Sequence, residues 1–278
     1  MDDFNLIRSA ITPAVHSGFG CTKFGATVLI SGDDPPIAAI THIGENSFLR
    51  QCGSLKAPPP IDFYKLSLQW PPATCSGGVR CGTPIPTVFT IHGIWPQDIN
   101  DNPIPGYNRT SYACYTPPPS SSSVLPTALT PIQSNLISLW PDLKNPNRTA
   151  YVFWGHEWDK HGTCSDYPYD PFRFFDSALT LRQGLTSPVM GLTRGNTYTV
   201  QQVINKIQNL TQALPEIACN TNRTTGVVQL WEIRLCYNRP ASSSQLVNTI
   251  RNCPHQLPVR NGTITGPCKT MLTNVYFP

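Results

Sequence analysis

Ten cysteines, at positions 21, 52, 75, 81, 114, 164, 219, 236, 253 and 268, constrain this chain more than any other feature. Their number is even, and only 13% of the chain is Asp, Glu, Lys or Arg, about half the usual charged share. Cysteines in such a composition read as disulfides, which persist in oxidising compartments. Five Asn-x-Ser/Thr sequons, at Asn108, Asn147, Asn209, Asn222 and Asn261, point the same way and are the expected glycosylation sites. A secreted, extracellular, disulfide-stapled protein is therefore expected. The N-terminus fits that less well. Met1-Asp2-Asp3-Phe4 has no basic n-region and no apolar run follows, so no signal peptide is evident in the sequence as given. No segment is long and apolar enough to span a membrane.

The 278 residues divide in character near position 60. Residues 1–60 show weak periodicity, hold Cys21 and Cys52, and end in Ala57-Pro58-Pro59-Pro60, a stiff linker-like run. They read as an N-terminal extension, either a pro-segment or a misassigned start. Residues 61–278 form the main domain.

Phe63–Trp70 alternates, with Tyr64, Leu66, Leu68 and Trp70 on one side, so it predicts a strand stopped by Pro71-Pro72. A second strand is expected over Thr87–Ile94, ended by Pro96, and a third over Val227–Cys236. Thr130-Pro131 predicts a helix cap and first turn, with the helix running to Trp140. Asp170-Pro171 does the same for a helix through Gln183. Thr199–Leu214 carries an apolar stripe of Val203, Ile204, Ile207, Leu210 and Leu214. Helices and strands mix without βαβ regularity or repeats. The fold class is α+β: an antiparallel central sheet with packed helices.

Chemistry concentrates in Phe153–Cys164, Phe-Trp-Gly-His-Glu-Trp-Asp-Lys-His-Gly-Thr-Cys. On a helix, Phe153, His156, Glu157, Lys160 and His161 fall within roughly 140° of arc. A solvated charged face is the simplest account of such a run, but three interleaved aromatics fit that poorly. A zinc protease needs its histidines four apart on one helix line. Here the gap is five, which turns the second ring roughly 140° from the first, and no metal or other cofactor is expected. Phosphodiester cleavage without a metal needs a base, an acid and cations around the phosphorane. RNA alone supplies a 2′-hydroxyl as internal nucleophile. The net charge of +4 is too mild for grip by charge alone, so a polyanion would be held by a few placed groups.

His92 sits in Phe-Thr-Ile-His-Gly-Ile-Trp-Pro-Gln, residues 89–97. This segment and Phe153–Cys164 together resemble the two catalytic segments of the ribonuclease T2 family, and the resemblance extends over roughly residues 61–278. It implies that His161 is the general base, His92 the general acid, and Glu157 and Lys160 the phosphorane stabilisers. It implies that His156 binds phosphate or substrate, and that Gln69, Trp95, Asp142, Leu143 and Phe153 join His92 in contacting substrate. It also implies disulfides Cys75–Cys81, Cys114–Cys164, Cys219–Cys268 and Cys236–Cys253, which leaves Cys21 and Cys52 as a fifth pair. The product would be a 2′,3′-cyclic phosphate from single-stranded RNA, made by a monomer.

Within the family, Thr90 before Ile-His, the single Cys81 and a sequence pI of 8.5 lean toward the S-RNases of plant pistils. Pollen F-box proteins would then be partners and rejection of self pollen the role. An S-like ribonuclease of defence or phosphate recycling is the alternative. A catalytically dead storage or binding glycoprotein is a further one, disfavoured because His92, His156 and His161 are all present.

Overall fold

The alternating stretch forms the strand Phe63–Gln69, and both of its faces are buried. That burial takes Lys65, Ser67 and Gln69 out of solvent along with the apolar residues. A computed structural model describes residues 60–145 and 148–278. The expected extension over residues 1–60, Cys21 and Cys52 with it, lies outside the described residues but for Pro60, as does Asn147.

The strands are β1 Phe63–Gln69, β2 Thr90–Gln97, β3 Thr197–Thr199, β4 Glu216–Thr221, β5 Val228–Asn238, β6 Ile250–Arg251, β7 Val259–Arg260, β8 Thr263–Ile264 and β9 Asn274–Tyr276. The helices are α1 Pro71–Thr74, α2 Leu125–Ala128, α3 Gln133–Leu139, α4 Ala150–Glu157, α5 Pro171–Gln183 and α6 Val200–Thr211. β1 lies between β2 and β5, antiparallel to both. β4 and β6 pair antiparallel with the other side of β5, and β9 joins it in parallel at Gln229. The class is α+β with a mostly antiparallel sheet, as expected.

Three local expectations need correction. Strand β2 begins at Thr90 and runs through Pro96 to Gln97. Pro96 sits opposite Tyr64, and because β2 is an edge strand the missing N–H faces no further strand. Thr130-Pro131 opens a 3₁₀ turn rather than capping an α-helix; the Thr130 hydroxyl donates to the Pro126 carbonyl, so it is not available as a cap. Leu210 is 49% exposed, since α6 ends at Thr211 before the stripe completes another turn against the core. By contrast, Asp170 caps α5 by accepting from the Arg173 N–H at 3.0 Å, with Pro171 in the first turn.

The core is rich in aromatics, and these fix the elements that bear the site. Trp140 packs at a tilt against Phe175 of α5, ring centroids 5.0 Å apart, and donates its indole N–H to the His92 carbonyl at 2.9 Å. Trp154 donates to the Trp140 carbonyl and Trp158 to the Ser120 carbonyl. Buried indoles thus satisfy their N–H groups while locking β2 and α4 in place. Disulfides join Cys75–Cys81, Cys114–Cys164, Cys219–Cys268 and Cys236–Cys253, the four pairs the resemblance implies.

Candidate active site

The dense 156–161 run is not one regular helix. Helix α4 ends at Glu157, and Trp158–Gly162 follows as a π-helical turn, closed by the Thr163 N–H on the Trp158 carbonyl at 3.0 Å. Such i→i+5 turns are rare and frequently occur at functional sites. The wider turn separates the cluster: Glu157 and His161 are buried, whereas His156 and Lys160 are exposed. The expected single face is therefore split into a buried pair and an exposed pair. Cys164, just beyond the turn, is tied to Cys114, and the Tyr107 N–H is held by the Thr163 hydroxyl.

His92 comes to this pair from β2. A side chain at Gly93 would overlap Trp95 Nε1 and Glu157 Oε2, so the glycine allows α4 to approach the strand closely. The Trp95 ring then lies 5.5 Å from that of His92 and 5.6 Å from that of His161. One indole separates the two imidazoles. Trp95 Nε1, Glu157 Oε2 and His161 Nδ1 are all buried without a hydrogen-bond partner among the described residues.

The two histidines differ in their partners. His92 Nδ1 lies 2.5 Å from Glu232 Oε1 on β5. Burial pushes the His92 pKa down, but the Glu232 carboxylate outweighs it and the net shift is upward. His161 has no such carboxylate: burial, with Lys160 and His92 adding to it, lowers its pKa to about 3. Burial raises the Glu157 carboxyl, and the charges of His92 and Lys160 offset this only in part. Glu232 is fully buried, yet Arg234 and His92 overcome the desolvation and hold it at about 2. One imidazole is biased toward the charged form and the other toward the neutral form, the division of acid and base character that catalytic pairs require.

Beside His92 opens a cleft of about 170 Å³ lined by Gln69, Asp142, Leu143, Phe153 and Trp231 among others. Four of these were expected there. Asp142 Oδ1 accepts from the backbone of Lys144 and Asn145, shaping the rim. The Trp231 indole donates to the Thr74 hydroxyl, which reaches Gln69 Oε1, so these three residues form one wall. His156, exposed on α4, takes part in none of these contacts. Asn108, Asn209 and Asn261 are exposed and Asn222 is half-buried.

Sequence reasoning missed Trp231 and Glu232. Both lie in a stretch read only as a strand, and β5 becomes part of the site through its pairing with β1. The signal was present as a glutamate between apolar neighbours on a buried strand. Among the described residues, no group of three or more His, Cys, Asp or Glu is arranged to hold a metal ion. No helix among them is long and apolar enough to cross a membrane.

Comparison with known proteins gives one answer. Residues 61–253 match the model of the Ribonuclease T2 family. The chain is 31% identical to Ribonuclease 1 of Arabidopsis thaliana over 195 residues, 66% of this chain and 78% of that protein. It is 30% identical to Ribonuclease S-7 of Nicotiana alata over 204 residues, 70% of this chain and 83% of that one. Ribonuclease MC1 from the seeds of bitter gourd superposes with a TM-score of 0.58 at 25% identity, covering 78% of this chain and 100% of that chain. The match takes in both histidine segments, the strand that carries His92 and the helical turn that carries His161, and the chain belongs to the ribonuclease T2 family and is a ribonuclease.

Proposed function

We propose that the protein is a secreted endoribonuclease that cleaves single-stranded RNA by internal transesterification, without a metal. His161 Nε2 takes the proton from the 2′-hydroxyl, and the 2′-oxygen attacks phosphorus. The P–O5′ bond breaks as His92 gives its Nε2 proton to the departing oxygen. The products are a 2′,3′-cyclic phosphate and a free 5′-hydroxyl. Lys160 and Glu157, beside His161, stabilise the pentacovalent phosphate, and His156 meets the flanking phosphate from the exposed face of α4. Gln69, Asp142, Leu143, Phe153 and Trp231 hold a base in the cleft, with Trp95 keeping the two imidazoles apart.

The observation that carries this reading is the placing of two imidazoles on either side of the Trp95 ring. His92 is bonded to the Glu232 carboxylate and His161 has its Nδ1 unpartnered among the described residues, which biases the first toward imidazolium and the second toward neutral imidazole. An acid and a base poised in their working forms at the same pH are what transesterification needs. His92→Ala and His161→Ala test it. Each should lose about 10²–10⁴-fold or more in RNA cleavage while circular dichroism shows a folded protein, and EDTA should leave the wild type active. Near wild-type rates in either variant would overturn the assignment.

For the biological setting, we infer a pistil S-RNase with pollen F-box proteins as partners and a role in self-incompatibility. Thr90, the basic pI of 8.5 and the similarity to Ribonuclease S-7 support it. An S-like ribonuclease of defence or phosphate recycling is the alternative, and the comparable similarity to Ribonuclease 1, whose name carries no S designation, is compatible with it. Expression confined to the style together with allelic diversity would decide for the first; broad expression of one allele would decide against it.

A further inference from the structure

Behind His92 runs a line of buried charges that the reaction itself does not use. Glu232 Oε1 meets His92 Nδ1 at 2.5 Å. Glu232 Oε2 accepts from Arg234 at 2.7 and 2.9 Å. Arg234 reaches Glu216 Oε1 at 2.5 Å, Glu216 Oε2 accepts from Lys65 at 2.8 Å, and Lys65 ends on Asp101 at 2.7 Å. Lys65, Glu216 and Glu232 are at most 4% exposed. Four elements contribute: β1, β4, β5 and the loop after β2.

The signs alternate along this line, carboxylate, ammonium, carboxylate, guanidinium, carboxylate, imidazole. With all three carboxylates ionised, three anions face two permanent cations, and the series is neutral when His92 carries a proton. An uncompensated charge in a buried network is costly, and a proton on His92 relieves it at the site. Asp101 at the far end, its carboxyl raised by burial, is the other group able to take one. Arg234 also lies over the Trp95 ring at 5.3 Å, which fixes the indole standing between the two histidines.

We propose that Glu232 is a positioning residue for the acid step, holding the His92 ring through Nδ1–H so that Nε2–H faces the leaving oxygen. Arg234, backed by Glu216, Lys65 and Asp101, keeps Glu232 ionised and immobile. Other groups near His92 are placed differently. Glu157 approaches from α4 and His161 from the π-helical turn, Arg234 lies behind Glu232 and opposes the charge, and Asp142 and Lys144 line the cleft on its open side. Of these, Glu232 alone makes a direct bond to the ring. The inference rests on the reading of His92 as the acid.

The test is an NMR titration of the full chain in which the His92 Cε1–H signal is assigned with His92→Ala, beside kcat/KM against pH for Glu232→Gln. Gln keeps an acceptor for Nδ1–H, removes the charge and turns an amide nitrogen to the Arg234 donors that Oε2 now meets. The variant should lower the His92 pKa by about one unit or more and move the alkaline limb of kcat/KM down with it. Cleavage should fall about tenfold at pH 7 and recover toward wild type near pH 5. An unchanged His92 pKa in Glu232→Gln would overturn the proposal. So would a wild-type His92 pKa below 6.5, a measurement that holds even where the variant fails to fold. If His92→Ala retains activity, the acid assignment fails instead, and the titration still reports whether Glu232 controls the ring.

Discussion

His92 Nδ1 sits 2.5 Å from Glu232 Oε1 across two strands that are not neighbours in the sheet. β1 lies between them, so the contact crosses the face of the sheet over Gln69 and its neighbours. This contact occupies one nitrogen and leaves Nε2 to act outward. It also sets the acid apart from His161, whose Nδ1 is buried without a partner among the described residues.

That asymmetry predicts the pH dependence of kcat/KM, which reports the free enzyme. Activity needs His92 protonated and His161 neutral. The His92 pKa is raised above 6.5, so the acid is present below that raised value and lost as pH rises through it. The His161 pKa is lowered to about 3, so the base is lost only as pH falls toward that value. A broad profile with its alkaline limb above pH 6.5 is expected. Activity that climbs steadily from pH 7 to 9 would contradict it.

Gly93 should tolerate no side chain. In Gly93→Ala the new methyl meets Trp95 Nε1 and Glu157 Oε2, and either β2 or α4 must move. Overpacking of this kind costs about 1–3 kcal/mol. Because the displaced groups belong to the site, kcat should fall by at least about 10²-fold. Thermal unfolding and steady-state kinetics on one preparation measure the two effects separately.

The Cys114–Cys164 bond anchors the chain three residues after His161. Its removal, as Cys114→Ser with Cys164→Ser, should cost roughly 3–4 kcal/mol by the chain-entropy argument for a loop of this size. Removal of Cys75–Cys81, which closes a short loop between Thr74 on the cleft wall and Gly82, whose N–H bonds the Leu143 carbonyl, should cost less stability and act on KM more than on kcat. Comparable loss of kcat in both variants would argue against an anchoring role for Cys114–Cys164.

Trp231 lines the cleft beside Phe153 and Gln69. In Trp231→Ala a stacking surface is lost, an effect worth about 1–3 kcal/mol per base. The expected result is a KM raised about tenfold or more, with a smaller change in kcat and a weakened base preference. Dinucleotide substrates that vary one base at a time would reveal it.

Much of this site was legible in the sequence because its parts are local. The Asp170-Pro171 cap, the charge cluster after Phe153 and the strand around His92 each announce themselves within a dozen residues. What was not legible depends on distant pairing. Pro96 continues a strand because no strand among the described residues pairs with that edge of β2 and only the Ile104 N–H reaches the Pro96 carbonyl there, which no local pattern reveals. The π-helical turn at Trp158–Gly162 uses residues with ordinary helix spacing, so periodicity set His156 and His161 roughly 140° apart without revealing that one is exposed and the other buried. Lys65 reads as the polar side of an alternating strand until Glu216 and Asp101 arrive from 151 and a few dozen residues away. Glu232 falls in the same class: its meaning lies in a partner 140 positions earlier.

The division of labour between the two histidines is tested most directly with an RNA dinucleotide whose bridging 5′-oxygen is replaced by sulfur. A thiolate leaves without protonation, so a missing acid should matter little and a missing base should still matter. His92→Ala should therefore cleave the sulfur substrate within about tenfold of wild type, while His161→Ala stays impaired by about 10²–10⁴-fold. Equal impairment of both variants on the sulfur substrate, or rescue of His161→Ala in place of His92→Ala, would contradict the assignment.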